Sequence, residues 1–313
     1  MKYATIEGLD RPASRIVLGS MIISPQRQDL TDDLLEAFLA RGGNLIDSAN
    51  IYRGGGSERA IGDWLRRKGR RDDVMILTKG AHHAPDGRKR VHPAEIAFDL
   101  GQSLERLGTP YVDLYLLHRD DPAVPVGDVV AALDHHHRLG RIRAYGGSNW
   151  THQRLQEANE VARAQGLTPF AASSPNLSLA VPKEPMWPDC VSVSGDAQAL
   201  SWYEREAFPL LSWSSQGGGF FSGRFRPDAP DDPDMVRVYY SDANWERFRR
   251  AERLAAEVGK TPIQIALAWV LSQPGLKTLA LVGPRTREEL ESSLDAADLE
   301  LTPEQVAWLN LQG

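Results

Sequence analysis

Two hydrophobic patterns take turns along this chain. Short, nearly unbroken apolar runs recur, separated by longer stretches in which apolar residues return every three or four positions. The first pattern predicts strands buried on both faces, the second amphipathic helices. The runs are Ile16–Gly19, Asn44–Asp47, Val74–Leu77, Val112–Leu117, Ile142–Gly146, Phe170–Ser173, Pro209–Trp213 and Lys277–Val282. Between the first two, Thr31 reads as a helix cap. Asp32 and Asp33 follow at the positive dipole end, then an apolar face of Leu34, Leu35, Phe38 and Leu39, with Gly42-Gly43 as the stop. Further helices are predicted over Ser57–Arg67, from Pro93 to Leu107, over Asp128–Leu139 and over Thr151–Ala164. Two later ones open with Thr261-Pro262-Ile263-Gln264 and Thr302-Pro303-Glu304-Gln305, each a cap, a proline at the first helical position and a glutamine placed to complete a capping box.

Eight strands alternating with helices predict βαβ units and a parallel sheet. With 313 residues, the expected fold is α/β: a single (β/α)8 TIM barrel over 1–313, its long loops at the C-terminal face. A doubly wound open sheet is the alternative, disfavoured because no G-x-G-x-x-G follows the first run. Two stretches exceed ordinary loop lengths. Pro175–Gly195 carries Pro182, Pro185, Pro188 and Trp187, and Gln216–Asp242 is rich in Gly, Pro and Asp. Long loops in a compact domain are usually functional or disordered.

Charge narrows the partners. The chain has 36 Lys and Arg against 42 Asp and Glu, a net of −6, which speaks against nucleic acid. One cysteine, Cys190, excludes an internal disulfide and fits a reducing compartment. No signal-like apolar stretch opens the chain and no run approaches a membrane span, so the expected location is cytoplasmic.

In a barrel of this kind, active groups sit at the C-terminal ends of strands. There this sequence has Asp47 with Tyr52 just beyond it, Thr78-Lys79-Gly80, His118-Arg119, Ser148-Asn149, Ser173-Ser174, Trp213-Ser214 and Gly283-Pro284-Arg285. Asp, Tyr, Lys and His at one mouth share a chemical logic. An ammonium lowers a nearby phenol's pKa, a carboxylate holds that ammonium, and an imidazole orients a carbonyl oxygen. Together they make a general acid beside a polarised carbonyl, and what is missing is a hydride donor, which no side chain supplies.

These segments resemble the aldo-keto reductase family. The resemblance rests on Gly42-Gly43-Asn44-Leu45-Ile46-Asp47-Ser48-Ala49-Asn50-Ile51-Tyr52, Gly56-Ser57-Glu58, Leu77-Thr78-Lys79, Ser103–Leu107, Val112–His118, Gly146–Asn149, Pro262–Trp269 and Gly283–Leu294. It runs in order through nearly the whole chain. It implies an oxidoreductase that interconverts an aldehyde, ketone or sugar and the alcohol. Hydride would come from C4 of the nicotinamide of NADP(H) or NAD(H), and the proton from Tyr52. It further implies that Lys79 and Asp47 tune Tyr52, that His118 binds the carbonyl, and that Ser148 and Asn149 hold the carboxamide. Ser174 stands where the family has a glutamine, and Trp213 where it commonly has a stacking tyrosine. Ser214, Gln216, Gly217 and Gly283 line the expected dinucleotide path, with Gly217–Gly223 near the pyrophosphate.

Arg285 could pair with a 2′-phosphate, but Glu289 and Ser293 depart from the family pattern, and a carboxylate there would favour a free ribose. NADP(H) is expected first, NAD(H) close behind. The resemblance leaves two other readings: a sugar or cyclitol dehydrogenase working oxidatively, and a regulatory subunit that binds cofactor with little turnover. The oligomeric state is left open. No metal site is expected. His135-His136-His137 read as a solvated helix surface, because consecutive helical residues diverge. His82, His83, His92 and Arg88-Lys89-Arg90 read as a solvated loop that could border the substrate mouth, Asp120-Asp121 as salt-bridged beside Arg119 or solvated, and Cys190 as a buried or incidental thiol.

Overall fold

Each of the eight apolar runs contributes a strand, and none of these strands has a face in water. A computed structural model describes residues 1–312. A small antiparallel pair, β1 (Tyr3–Ala4) and β2 (Ala13–Ser14), comes first. Then β3 (Ile16–Gly19), β4 (Leu45–Asp47), β5 (Met75–Gly80), β6 (Val112–Leu117), β7 (Ile142–Ser148), β8 (Ala172–Ser174), β9 (Leu210–Ser212) and β10 (Thr278–Val282) form a closed parallel barrel, β10 pairing with β3. The helices are α1 (Gln28–Ala40), α2 (Gly56–Lys68), α3 (Pro93–Leu107), α4 (Val126–Arg138), α5 (His152–Gln165), α6 (Ala197–Arg205), α7 (Pro233–Tyr239), α8 (Asp242–Val258), α9 (Pro262–Leu271), α10 (Arg287–Leu294) and α11 (Pro303–Leu309). The expected TIM barrel is the fold. Among the described residues no helix is long and apolar enough to cross a membrane.

Strand alternation divides the core into two shells. Val17, Leu45, Leu77, Leu114, Leu116, Ala144, Ala172, Leu211, Leu279 and Leu281 pack together inside the barrel. Their neighbours Ile16, Leu18, Ile46, Ile76, Tyr115 and Leu117 pack outward against the helices. Ile6 and Ala13, from the β1–β2 hairpin, join the inner shell. A Cβ on Gly8 would meet the carbonyl oxygen of Arg143, beside the start of β7, at 3.0 Å, so the hairpin closes the N-terminal floor.

Three helix predictions are corrected. Thr31 is not a cap: it lies inside α1, buried, donating its hydroxyl to the Arg27 carbonyl at 3.1 Å. The helix starts earlier because a tight turn over Pro25–Arg27 leads directly into it. The 216–242 stretch is not all loop, since Asp232 and Pro233 start α7 within it. His136 is buried, so the surface reading of the three histidines fails there; His135 alone is fully exposed, and His137 turns back towards the Ile142 carbonyl. Both Thr-Pro-x-Gln segments form capping boxes as expected.

Candidate active site

Because side chains alternate along a strand, the position two past an inner-shell residue also points inward. Two past Leu45, Leu77, Leu116, Ala172, Leu211 and Leu281 stand Asp47, Lys79, His118, Ser174, Trp213 and Gly283. The parity that packs the barrel thus lines its C-terminal mouth.

Asp47 and Lys79 are both nearly inaccessible, and their side chains form a buried ion pair. The Lys79 ammonium also donates to the Ser48 carbonyl at 3.0 Å and to the Tyr52 hydroxyl at 3.4 Å. Tyr52 opens a tight turn whose next three residues, Arg53, Gly54 and Gly55, all have left-handed backbone. That turn is pinned to β5 by the Asn50 N–H donating to the Lys79 carbonyl at 2.8 Å. The Tyr52 and His118 rings meet edge to face, centroids 5.7 Å apart. Neither His118 ring nitrogen bonds to a described residue, and Nδ1 is buried without a partner.

Burial sets the electrostatics. It pushes the Tyr52 phenol above its ordinary value, with Lys79 pulling against it. The pull expected of Lys79 is there, but desolvation outweighs it. Burial also drives the Lys79 ammonium down, yet Asp47 and Tyr52 together reverse this and hold it above the usual lysine range. The Asp47 carboxyl is raised by burial against the pull of Lys79. His118 lies well below the usual imidazole value, through burial first and then the charges of Lys79 and Arg119, so it is neutral at pH 7.

A second cluster stands beside these four. The Ser148 hydroxyl donates to the Ser174 carbonyl at 2.9 Å. The Asn149 amide donates to the His118 carbonyl at 3.2 Å, and its oxygen accepts from the Trp213 indole at 3.1 Å and from the Val191 N–H at 3.2 Å. Asn149 is left-handed, a conformation that asparagine tolerates better than most residues. Trp213 is half-buried, and exposed Trp187 packs against it with centroids 5.8 Å apart. The structure does not turn the Ser174 hydroxyl to the mouth: it is buried and donates to the Leu211 carbonyl at 2.7 Å, too short a side chain to do both.

After β9 the backbone is left-handed at Ser214, Gly217, Gly218 and Gly219. Such runs let N–H groups converge on an anion. Gln216, half-buried, accepts the Gly219 N–H on its carbonyl at 3.1 Å. A Cβ on Gly219 would lie 2.5 Å from Nη2 of Arg224, so that guanidinium covers the glycine turn. Gly283 faces open space. At the start of α10, Glu289 accepts the Arg285 N–H at 2.8 Å and the Arg285 guanidinium at 2.8 Å. Ser293 is buried and donates to the Glu289 carbonyl at 3.0 Å, inside the helix rather than outward.

Two further readings are corrected. The basic loop after β5 is not simply solvated: Arg90 clamps Asp99 at 2.7 Å, Arg88 meets Glu95 at 2.6 Å, and the His82 ring stacks edge-on against His118 at 4.9 Å. Asp120 is salt-bridged as expected, but its partner is Arg154 at 3.3 Å rather than Arg119. Cys190 is a buried free thiol. Arg119 stands in the strand-end set and His82 in the loop after β5 that the sequence already offered, whereas Arg224 is a mouth residue that the motifs did not mark. A basic residue directly after the glycine turn was a usable signal for Arg224.

Fold and mouth together define a (β/α)8-barrel enzyme whose polar groups gather at one end of a closed apolar interior. Comparison with known proteins makes the class specific: the aldo/keto reductase family model matches residues 15–310, and the chain belongs to that family. It is 30% identical over 284 residues to aldo-keto reductase str7 of Strobilurus tenacellus, covering 88% of this chain and 78% of that one. It is 28% identical to aldo-keto reductase YhdN of Bacillus subtilis, over 99% of this chain and 93% of that one. The aryl-alcohol dehydrogenase [NADP(+)] of Phanerodontia chrysosporium is 26% identical over 88% of this chain and 74% of its own. The chain is an NAD(P)-dependent oxidoreductase of this family.

Proposed function

We propose that this enzyme interconverts a small carbonyl compound and its alcohol, with NADP(H) as the preferred cofactor and NAD(H) accepted. The observation that carries the reading is the buried Asp47–Lys79 pair within reach of the Tyr52 hydroxyl, beside a neutral His118. The mouth fits a nicotinamide dinucleotide. Trp213 offers a half-buried ring locked by Asn149, the glycine turn under Arg224 suits a pyrophosphate, and open space stands over Gly283. Ser148 and Asn149 would hold the carboxamide by exchanging hydrogen bonds they now make to the Ser174 and His118 carbonyls, and the Ser174 hydroxyl would not touch the ring. Ser214, Gln216 and Gly217 would border the pyrophosphate, and Arg285 with Glu289 and Ser293 the adenosine end.

When bound, the cofactor supplies or accepts the hydride. The protein supplies the rest. The Tyr52 hydroxyl and a neutral His118 N–H donate to one substrate oxygen, which polarises the carbonyl. Burial keeps Tyr52 protonated at neutral pH, so it can give its proton as the oxygen gains charge. Lys79 then stabilises the phenolate left behind, and Asp47 keeps Lys79 charged and aimed.

The test is Tyr52→Phe assayed with NADPH and with NADH on a panel of neutral aldehydes. Reduction should fall by about 10²–10⁴-fold in kcat/KM, while NADP⁺ affinity stays within a factor of about three. Tyr52→Phe turning over at the parent rate would end the proton-donor assignment.

A further inference from the structure

Arg119 is an isolated charge at the mouth. It directly follows His118 and is only 5% exposed. The carboxylates around it are all engaged elsewhere. Asp120 faces Arg154 at 3.3 Å, Asp121 accepts the Ala123 N–H at 3.1 Å, and Asp189 faces His83 at 3.5 Å and Lys89 at 4.0 Å. Among the described residues none of these acids, nor any other, pairs with the Arg119 guanidinium.

The side chain is fixed all the same. Its Nη1 donates to the His118 carbonyl at 2.8 Å, and its own carbonyl accepts from the fully buried Trp150 indole at 3.2 Å. Nε is buried with no hydrogen-bond partner at all. A guanidinium keeps its charge in proteins, and burying one without a counter-ion or a full set of acceptors is costly. Such a cost is usually retained where a ligand relieves it. The neighbours that feel this charge are Tyr52, His82, His83, His118 and Cys190, the first and fourth of them the carbonyl-binding pair.

We propose that Arg119 is a specificity-determining residue that binds a carboxylate carried by the carbonyl substrate, so that the enzyme favours oxo acids over neutral aldehydes and ketones. The guanidinium edge is built for the two oxygens of a carboxylate. One unmatched positive charge suits a single negative charge better than the near-double charge of a phosphate. Because Arg119 adjoins His118, the acid and carbonyl groups lie within one small molecule. This rests on the reading of Tyr52 and His118 as the carbonyl-binding pair.

The experiment compares 4-formylbenzoate with 4-formylbenzamide, matched in shape and different in charge. Binding to the NADP⁺-loaded enzyme is followed by calorimetry, and reduction is followed with NADPH, for the parent, Arg119→Gln and Arg119→Lys. The parent should prefer the acid by about tenfold to a hundredfold in Kd and in kcat/KM, the worth of a charged hydrogen-bonded pair. Arg119→Gln should lose that preference and Arg119→Lys keep part of it. Equal handling of acid and amide by the parent, or a preference that survives Arg119→Gln, overturns the proposal. If Arg119→Gln does not fold, the parent's own acid-to-amide ratio still decides. Tight acid binding without reduction of either compound would sink the carbonyl reading and leave the anion site standing. Reduction of both at one rate would do the reverse.

Discussion

At the scale of single residues, the balance at Tyr52 is the point of control. Burial raises its phenol above the ordinary value of about 10, and Lys79 limits that rise. In the reducing direction the enzyme needs the protonated phenol, so the rate should be flat from neutral pH until the pH reaches that raised value. In the oxidising direction it needs the phenolate, so the rate should climb with pH up to the same point. Lys79→Met removes the charge that favours the phenolate, and the climb should move to higher pH. At a fixed pH of about 9 the variant should lose about tenfold in alcohol oxidation for each unit the midpoint moves. The pH profile of kcat for oxidation measures this, and a midpoint that stays or falls contradicts the role given to Lys79.

At the scale of elements, the mouth is held by what the helices bring to the strand ends. Glu58 on α2 is fully buried, accepts the Thr78 hydroxyl at 2.7 Å and lies 3.2 Å from Arg106 on α3. Arg106 also donates to the Asn50 carbonyl at 2.9 Å, in the segment leading to Tyr52. Glu58→Ala would strand that guanidinium, and should lower the unfolding free energy by about 3–5 kcal/mol, read by chemical denaturation. Helix α10 makes a different prediction. Glu289 occupies its first turn and neutralises Arg285. A 2′-phosphate would have to share that guanidinium with a resident carboxylate. Glu289→Gln keeps an acceptor for the Arg285 N–H, removes the competing charge, and should raise the NADPH-to-NADH ratio of kcat/KM by about tenfold. An unchanged ratio would mean that Arg285 does not meet the cofactor.

How far these elements could be read in advance depended on their length and on who their partners are. The barrel strands were legible because burial on both faces leaves unbroken apolar runs, and Asp47, Tyr52, Lys79 and His118 were legible because each lies at or beyond the end of such a run. The hairpin β1–β2 was not, since two-residue strands carry no period. Helices α6, α7 and α8 lay where loop composition or silence in the pattern hid them, although Asp196, Asp232 and Ser241 are sound caps. The isolation of Arg119 could not be read at all. It exists because Arg154, from a helix further along the chain, takes the aspartate next door.

Over the whole molecule, stability and chemistry occupy opposite ends of one barrel. The floor is apolar and capped by Ile6, 3% exposed, while the mouth carries the charges. Ile6→Ala opens a cavity against the inner shell and should cost about 2–4 kcal/mol. Cofactor affinity at saturating folding conditions should not change, because no residue of the mouth touches the hairpin. Calorimetric melting and NADP⁺ titration of the same variant would separate the two ends, and a change in affinity without a change in melting would break the division.

That division also governs what a cell would notice. A chain altered at Ile6 spends more time open and is exposed to proteases, so its amount falls while each surviving molecule works normally. A chain altered at Tyr52, on its tight turn at the mouth, passes quality control at full abundance and turns over hardly at all. Measuring how much of this enzyme is present therefore reports on the floor of the barrel, and only turnover reports on its mouth.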